Sequence, residues 1–318
     1  MRTRTPASRL GVASAVALAS LTLASCASGT GAASEASTPA SVTVAGVSVG
    51  VDSAAKALVP QKYRDSGEVR VATDVPYAPF EMFAAEGSSQ ITGVDYDLGQ
   101  AIAARLGLRF TFTAQKFDGI IPAIQAGKFD AVMSAMTDKK ERQAVLTFVD
   151  YSASGTGVLV AKGNPQGIKT YTDLCGQSVA VQAATNQLDL ATTWQKDCTA
   201  AGKAPIQLQQ FPKDSDAQLA IKAGKVVAAL ATKPAAGYSA KTTDGGNAFE
   251  LVEDPAAPTG YEATPNGIGL SKADPELAKA VQKALQSLMD DGTYTKILAK
   301  YGVEGIAVEK ATINAAVS

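Results

Sequence analysis

From Glu68 onward the hydrophobic positions switch repeatedly between two periods. "EVRVATD" alternates β-branched and polar residues and predicts a strand, whereas "YDLGQAIAARLGL" repeats Leu98, Ile102 and Leu106 at helical spacing, with Gly107 where a helix C-cap belongs. "RFTFTAQ" is again a strand by its alternation, "DGIIPAIQAG" a helix closed by Gly127, and "FDAVMSAM" a strand. Strand, helix, strand, helix, strand predicts a parallel sheet with crossover helices. A second round starts at "GTGVLVAKG" and continues through "SVAVQAAT", a helix from about Asn186 to Ala201, "IQLQQF", the helix "DSDAQLAIKAG" and "VVAALAT". "NGIGLSK" and "DPELAKAVQKALQSLMDDGTYTKILAKYG" then add one strand and two helices. The simplest architecture is two α/β lobes, the chain crossing to the second lobe and returning.

The pattern before Glu68 is different. Ala27 to about Ser53 is built almost entirely of Ala, Ser, Thr, Gly and Val, too little apolar bulk to offset ordering entropy, and predicts a flexible tether spanning on the order of 30 Å. Within it "VTVAGVSVGV" alternates and could form a strand, although its small residues and glycines favour a coil. "AAKALVPQKYRDSG" predicts a short collar helix broken by Pro60 and ended near Gly67. At the amino terminus "MRTRTPASRL" carries three arginines and no acid, followed by the apolar "GVASAVALASLTL". That run is shorter than the ~20 residues a spanning helix needs. The closing Leu23-Ala24-Ser25-Cys26 resembles the lipobox of bacterial lipoproteins. The resemblance implies a signal peptide over 1–25 and lipid on Cys26, each buried methylene contributing about 0.8 kcal/mol to a membrane anchor.

Composition narrows the chemistry. A formal charge of −1 on 318 residues, with 46% hydrophobic residues, describes an ordinary globular chain with no basic surplus for nucleic acid. The chain has no histidine, which excludes Ser-His-Asp and Cys-His nucleophiles and every His-containing zinc site. No metal, cofactor or catalytic residue is expected. Beyond Cys26, Cys175 and Cys198 are the only possible intramolecular pair, and export favours a disulfide between them worth roughly 3 kcal/mol. A free thiol is the alternative, without a histidine to activate it.

The ordered set "VATDVPYAPFEM", "ITGVDYDLGQAIAARLG", "FDGIIPAIQAGKFDAVMSAMT", "KERQAVLTFVDY" and "DDGTYTKILAKYG" resembles the amino-acid-binding class of periplasmic-type solute-binding proteins, family 3, over about Glu68 to Gly302. That family serves ATP-driven importers. The resemblance implies an α/β, two-lobed periplasmic-binding-protein-like clamp (type II), each lobe a mostly parallel sheet flanked by helices. Lobe 1 would comprise 68–153 plus 267–305 and lobe 2 156–264, with crossings near Ser152 to Gly155 and Thr264 to Asn266. Residues 26–67 would be tether and collar, and 306–318 a C-terminal tail. Ligand would bind beyond the carboxyl ends of the strands.

Individual positions carry over. Arg142 matches the arginine that the family sets against the ligand's α-carboxylate, a planar fork able to make two charge-assisted bonds. An arginine in the first turn of a helix opposes the helix dipole, which favours a functional reason for it over a merely exposed one. Ala135 and Thr137 lie where the family presents a backbone carbonyl and a hydroxyl; Thr137 equally suits a cap or turn. Tyr77 and Phe117 lie where relatives place aromatic rings, and both could also be core. Asp74 ends the first strand, as a cleft residue or a turn cap. Thr185 and Asn186 stand where a helix start offers amides to an anion, with a plain N-cap at Asn186 as the alternative. The family's aspartate for the α-ammonium is replaced by Thr232 in "VVAALATKPA", Val227 replaces an earlier acid, and Lys233 is an unfavourable cation beside the site unless it points to solvent, the blander reading, or pairs with a second acid on the ligand.

These readings make the protein an exported solute-binding lipoprotein on the outer face of the cytoplasmic membrane. It would be monomeric and would capture a small, polar, carboxylate-bearing solute, amino acid or amino-acid-like, for the permease subunits of an ABC importer. The alternatives are a dehydratase-type enzyme on the same scaffold, for which only Asp74 and Glu81 supply acids near the cleft, and a ligand sensor, for which no span follows before Ser318.

Overall fold

The computed structural model describes residues 41–316, so the expected signal peptide, Cys26 and the expected tether up to residue 40 lie outside the described residues. The folded part begins much earlier than Glu68. Ser41–Val44 (β1) and Val47–Gly50 (β2) form an antiparallel hairpin with Val44 and Val49 buried. The expected tether is corrected from Ser41 on. Alternation of valine with small residues gives the hairpin one apolar face, and that face has a partner in the helix at Val94–Leu106. The collar divides at Pro60 into Ser53–Ala57 (α1), capped by the Asp52 carboxylate, and Gln61–Ser66 (α2), which ends on Gly67 in the left-handed region.

The first α/β round is Glu68–Thr73 (β3), a small ribbon of Met82–Phe83 (β4) and Ile91–Thr92 (β5), Val94–Leu106 (α3), Arg109–Ala114 (β6), Ile120–Gln125 (α4), Ala131–Val132 (β7) and Lys140–Gln143 (α5). Leu98, Ile102 and Leu106 are fully buried, as their spacing predicts, and Gly107 closes α3 in the left-handed region. The chain then runs through one long strand, Leu146–Ala161 (β8). The second round follows: Ser178–Gln182 (β9), Asn186–Ala200 (α6), Gln207–Phe211 (β10), Asp214–Lys222 (α7), Ala228–Thr232 (β11), Lys233–Thr242 (α8) and Phe249–Leu251 (β12). Tyr261–Ser271 (β13) returns, and Pro275–Asp290 (α9), Thr293–Lys300 (α10) and Thr312–Ile313 (β14) complete the fold.

The strand order β10-β9-β11-β8-β13-β7-β3-β6 makes the two lobes two parallel trios joined through an antiparallel pair. The pair β8–β13 belongs to both halves, with Ser152 opposite Asn266 and Ser154 opposite Thr264 at its middle. A Cβ on Gly155 would meet the Gly260 carbonyl carbon at 2.3 Å, so only glycine lets the backbones pass this closely beside the bulged stretch.

The C-terminal segment is not a free tail up to Ala316. β14 adds to β8 at Val149 and Asp150, and the Asp150 carboxylate accepts the Ala315 amide at 3.0 Å. In the second half Trp194 stacks on Tyr171 and meets Tyr261 edge-on, filling the core on that side. Cys175 and Cys198 are joined by a disulfide, their Cα atoms 5.5 Å apart.

Candidate functional site

The ends of β3, β7, β9 and β11 face one another across the middle of the molecule. There they line a narrow cleft with about 20 Å³ of space open to water. Asp74, Tyr77, Phe117, Ala135, Thr137, Arg142, Thr185, Asn186 and Thr232, the nine residues expected to touch ligand, all line it, together with Glu81, Ser134, Gln182 and Gln187.

Arg142 lies in the single turn of α5, only 7% exposed. Its Nη1 donates to the Thr137 carbonyl at 2.9 Å and its Nη2 to the Ala184 carbonyl at 3.0 Å, while the guanidinium carbon is 5.6 Å from the Phe117 ring centroid. Among the described residues no carboxylate forms an ion pair with it. Burial lowers its pKa, yet a guanidinium stays charged, so a buried cation bonded only to carbonyls, with Asp189, Glu141 and Asp138 acting at longer range, favours an anion beside it.

The second half supplies the N-terminus of α6 at the same place. Thr185, not Asn186, is the N-cap: its Oγ1 accepts the Leu188 amide at 3.3 Å and donates to the Gln182 carbonyl at 2.7 Å. This corrects the alternative cap at Asn186, because Asn186 already has helical geometry as the first residue of α6. The opening amides of a fifteen-residue helix add positive potential beside Arg142. Ala135 (φ 44°) and Ala184 (φ 61°) are both held in the left-handed region at this cavity, a strained conformation for alanine.

A separate, acidic part of the wall gathers on Ser134. The Asp74 amide donates to Ser134 Oγ at 2.9 Å, and that hydroxyl donates to Glu81 Oε1 at 2.6 Å. Glu81 is fully buried, and no donor among the described residues reaches its Oε2. Burial and the adjacent Asp95 carboxylate push Glu81 well above the usual carboxylate range. Asp95, also pushed up by burial, to about 6, accepts the Tyr151 hydroxyl at 2.6 Å and the Ala135 amide at 2.8 Å. Asp74 is raised by burial as well, against the Gln182 amide group 2.6 Å away and Lys213 at 4.0 Å.

Thr232 and Lys233 both find their partners within the protein. The Tyr77 hydroxyl accepts the Thr232 amide at 2.9 Å and shares a second hydrogen bond of 2.9 Å with Thr232 Oγ1, so Thr232 is joined to the opposite half by protein groups. Lys233 does not burden the cavity. Its ammonium lies 2.6 Å from Glu253 and donates to the Pro258 carbonyl at 2.9 Å on the other side of α8, where a helix start one residue past the strand turns it. Further bonds join the halves: Lys213 to the Val75 carbonyl at 2.8 Å and Lys139 to Asp189 at 2.5 Å.

Sequence reasoning placed Glu81 near the cleft only as a possible acid and did not select Ser134, Gln182 or Gln187. Glu81 had a signal, an acid between Phe80 and Met82 in an otherwise apolar stretch. Gln182 had another, the last position of a strand whose carboxyl end faces the cleft.

The chain is similar to several proteins of known name and structure. The arginine-binding protein of Corynebacterium glutamicum is 32% identical over 260 residues, covering 81% of this chain and 82% of the relative. The lysine/arginine/ornithine-binding periplasmic protein of Escherichia coli is 32% identical, over 73% of this chain and 86% of its own. Among solved structures, an ancestral arginine-binding protein bound to arginine superposes with a TM-score of 0.66 at 32% identity, covering 74% of this chain and 98% of that one. An ancestral amino-acid-binding protein described as a precursor of cyclohexadienyl dehydratase also gives a TM-score of 0.66, at 33% identity over 76% and 97% of the two chains. With residues 69–304 matching that family throughout, the chain belongs to the bacterial extracellular solute-binding proteins, family 3.

Proposed function

We propose that this protein captures a small amino acid, or a close relative of one, for an ABC importer, holding the ligand's carboxylate against Arg142 and the α6 N-terminus. The observation that carries the reading is the buried Arg142 guanidinium, bonded only to carbonyl oxygens and facing helix amides from the other half. Phe117 and Tyr77 supply apolar walls, and Asp74 and Glu81 a seat for a positive group. The named relatives bind arginine, lysine and ornithine, which suits a cavity with both signs of charge. Binding without turnover is favoured over dehydration because these relatives are binding proteins.

In this reading 68–153 plus 267–305 form one lobe, extended by the hairpin and collar before it and by the strand that follows. Residues 156–264 form the other, and the middle of β8–β13 serves as the hinge. Charge-assisted bonds contribute about 1.5 to 3 kcal/mol each, so Arg142→Ala should weaken binding at least a hundredfold by calorimetry. An unchanged Kd would overturn the site. The protein works as a monomer tethered through lipid on Cys26, as "LASC" supports. Cys26→Ser should move it from the membrane pellet to the soluble fraction, and retention in the pellet would refute that anchor.

A further inference from the structure

A second opening lies between the halves and shares no lining residue with the cleft. It sits over the middle of β8 at Ala153 and Ser154, with α8 as one wall and the end of α10 and the segment after it as the other. It holds about 550 Å³ of space open to water, against about 20 Å³ in the cleft. Ordinary ligand pockets run from roughly 300 to 1,000 Å³.

Leu251, Val303, Ile306, Tyr238 and Tyr301 make the lining mostly apolar. The polar ends of the two tyrosines are engaged within the protein: the Tyr301 hydroxyl accepts the Gly93 amide at 3.1 Å, and the Tyr238 hydroxyl lies 3.7 Å from Met82 Sδ. Ser154 Oγ accepts the Asn266 side-chain amide at 3.1 Å. The crevice therefore offers mainly rings and aliphatic carbon.

Gly237 keeps it open. This residue stands in the middle of α8, where glycine destabilises a helix relative to alanine. Packing does not require it, since a Cβ there would meet only Leu251 Cδ2, at an ordinary contact distance of 3.5 Å. On the other wall a Cβ on Gly305 would meet nothing within 4 Å. Three charged side chains complete the lining. Lys233 and Glu253 pair at 2.6 Å, whereas Lys241 is exposed and has no ion pair among the described residues. The crevice is left with one surplus positive charge.

We propose that this crevice is a second ligand site, taking a small aromatic carboxylate whose ring packs between α8 and the segment after α10 and whose charge meets Lys241. The occupant touches both halves and the strand that joins them, a position from which its binding is coupled to any change in their relation.

The test is equilibrium dialysis of the purified protein against 3-phenylpropionate, its neutral amide 3-phenylpropanamide, and the cationic 3-phenylpropylamine. The acid is expected to bind at least threefold more tightly than the amide, a modest margin because Lys241 is exposed, and the amine more weakly than either. Lys241→Gln should bring the acid down to the level of the amide. Gly237→Leu, which fills the crevice, should weaken the acid at least tenfold; if that variant does not fold, Gly305→Leu fills it from the other wall. Equal binding of acid and amide, or full binding of the acid by the filled variant, would overturn the proposal. Binding of the acid that disappears in Arg142→Ala would place it in the cleft and overturn it as well. So would a dimer in sedimentation that Gly237→Leu disperses, because a second copy of the chain would then be the occupant.

Discussion

At the residue scale the deciding contrast lies between Arg142 and Glu81. Both are buried ionisable groups in one cavity, and among the described residues neither forms an ion pair with an opposite charge. Arg142 keeps its charge under burial, while burial and the neighbouring Asp95 raise the pKa of Glu81. The pH dependence follows from that sign. A cationic ligand favours the ionised acids, so its affinity should increase as pH rises from 5 to 8 and its binding should release protons. Glu81→Gln keeps an acceptor for Ser134 but cannot ionise. It should flatten the affinity profile and weaken arginine at least tenfold at pH 8. Without ligand the effect reverses. A folded-state pKa raised above the unfolded one supplies stability at low pH that is lost as pH rises through the folded value, so the variant should gain melting temperature over wild type at pH 8 relative to pH 5. Calorimetry across buffers and thermal scans across pH check both halves, and a pH-independent ratio of variant to wild-type affinity would contradict the assignment. The place of Arg142 on the cavity was anticipated from the motif it matches in the resemblance. The burial of Glu81 was not, since it depends on Asp95 and Tyr151 arriving from distant elements.

At the scale of elements the second half shows a division of labour within α6. Its N-terminus, capped by Thr185, faces the cavity, and its other end carries Cys198, bonded to Cys175. The bridge is therefore a staple remote from the ligand. The double variant Cys175→Ser, Cys198→Ser should lose about 3 kcal/mol in urea unfolding, the loop-entropy value for a bridge of this size, while changing Kd less than threefold. A larger loss of affinity than of stability would mean that the helix start depends on the bridge. Periodicity located α3, α6 and α7 because a helix packed on a sheet needs one apolar face. The hairpin at 41–50 was misjudged for the same reason in reverse. Its valines alternate correctly, but composition alone does not say that α3 offers a surface to cover them.

At the scale of the molecule the two halves are held together at the cavity by bonds between protein groups, Tyr77 to Thr232 and Lys213 to the Val75 carbonyl among them. In this conformation both bonds cross from one half to the other. Tyr77→Phe combined with Lys213→Met removes them while keeping the apolar bulk, and should increase the radius of gyration of the unliganded protein in small-angle scattering and weaken every ligand by a common factor. An unchanged radius with unchanged affinities would show that these bonds do not set the resting state.

What the sequence determined by itself is local: the alternation of strand and helix, the break at Pro60, the caps at Gly67 and Gly107, and a set of groups without histidine that excludes several chemistries. These are readable because backbone propensity and the apolar period act over a few residues. Tertiary structure alone decided that β8 and β13 run through both halves, that the segments at 41–50 and 312–316 belong to the folded body, that Lys233 turns to Glu253, and that Thr232 is held by Tyr77. Each depends on a partner far away in the chain. An apolar face or a polar side chain announces in sequence that it needs a partner, and only the packed chain supplies which one.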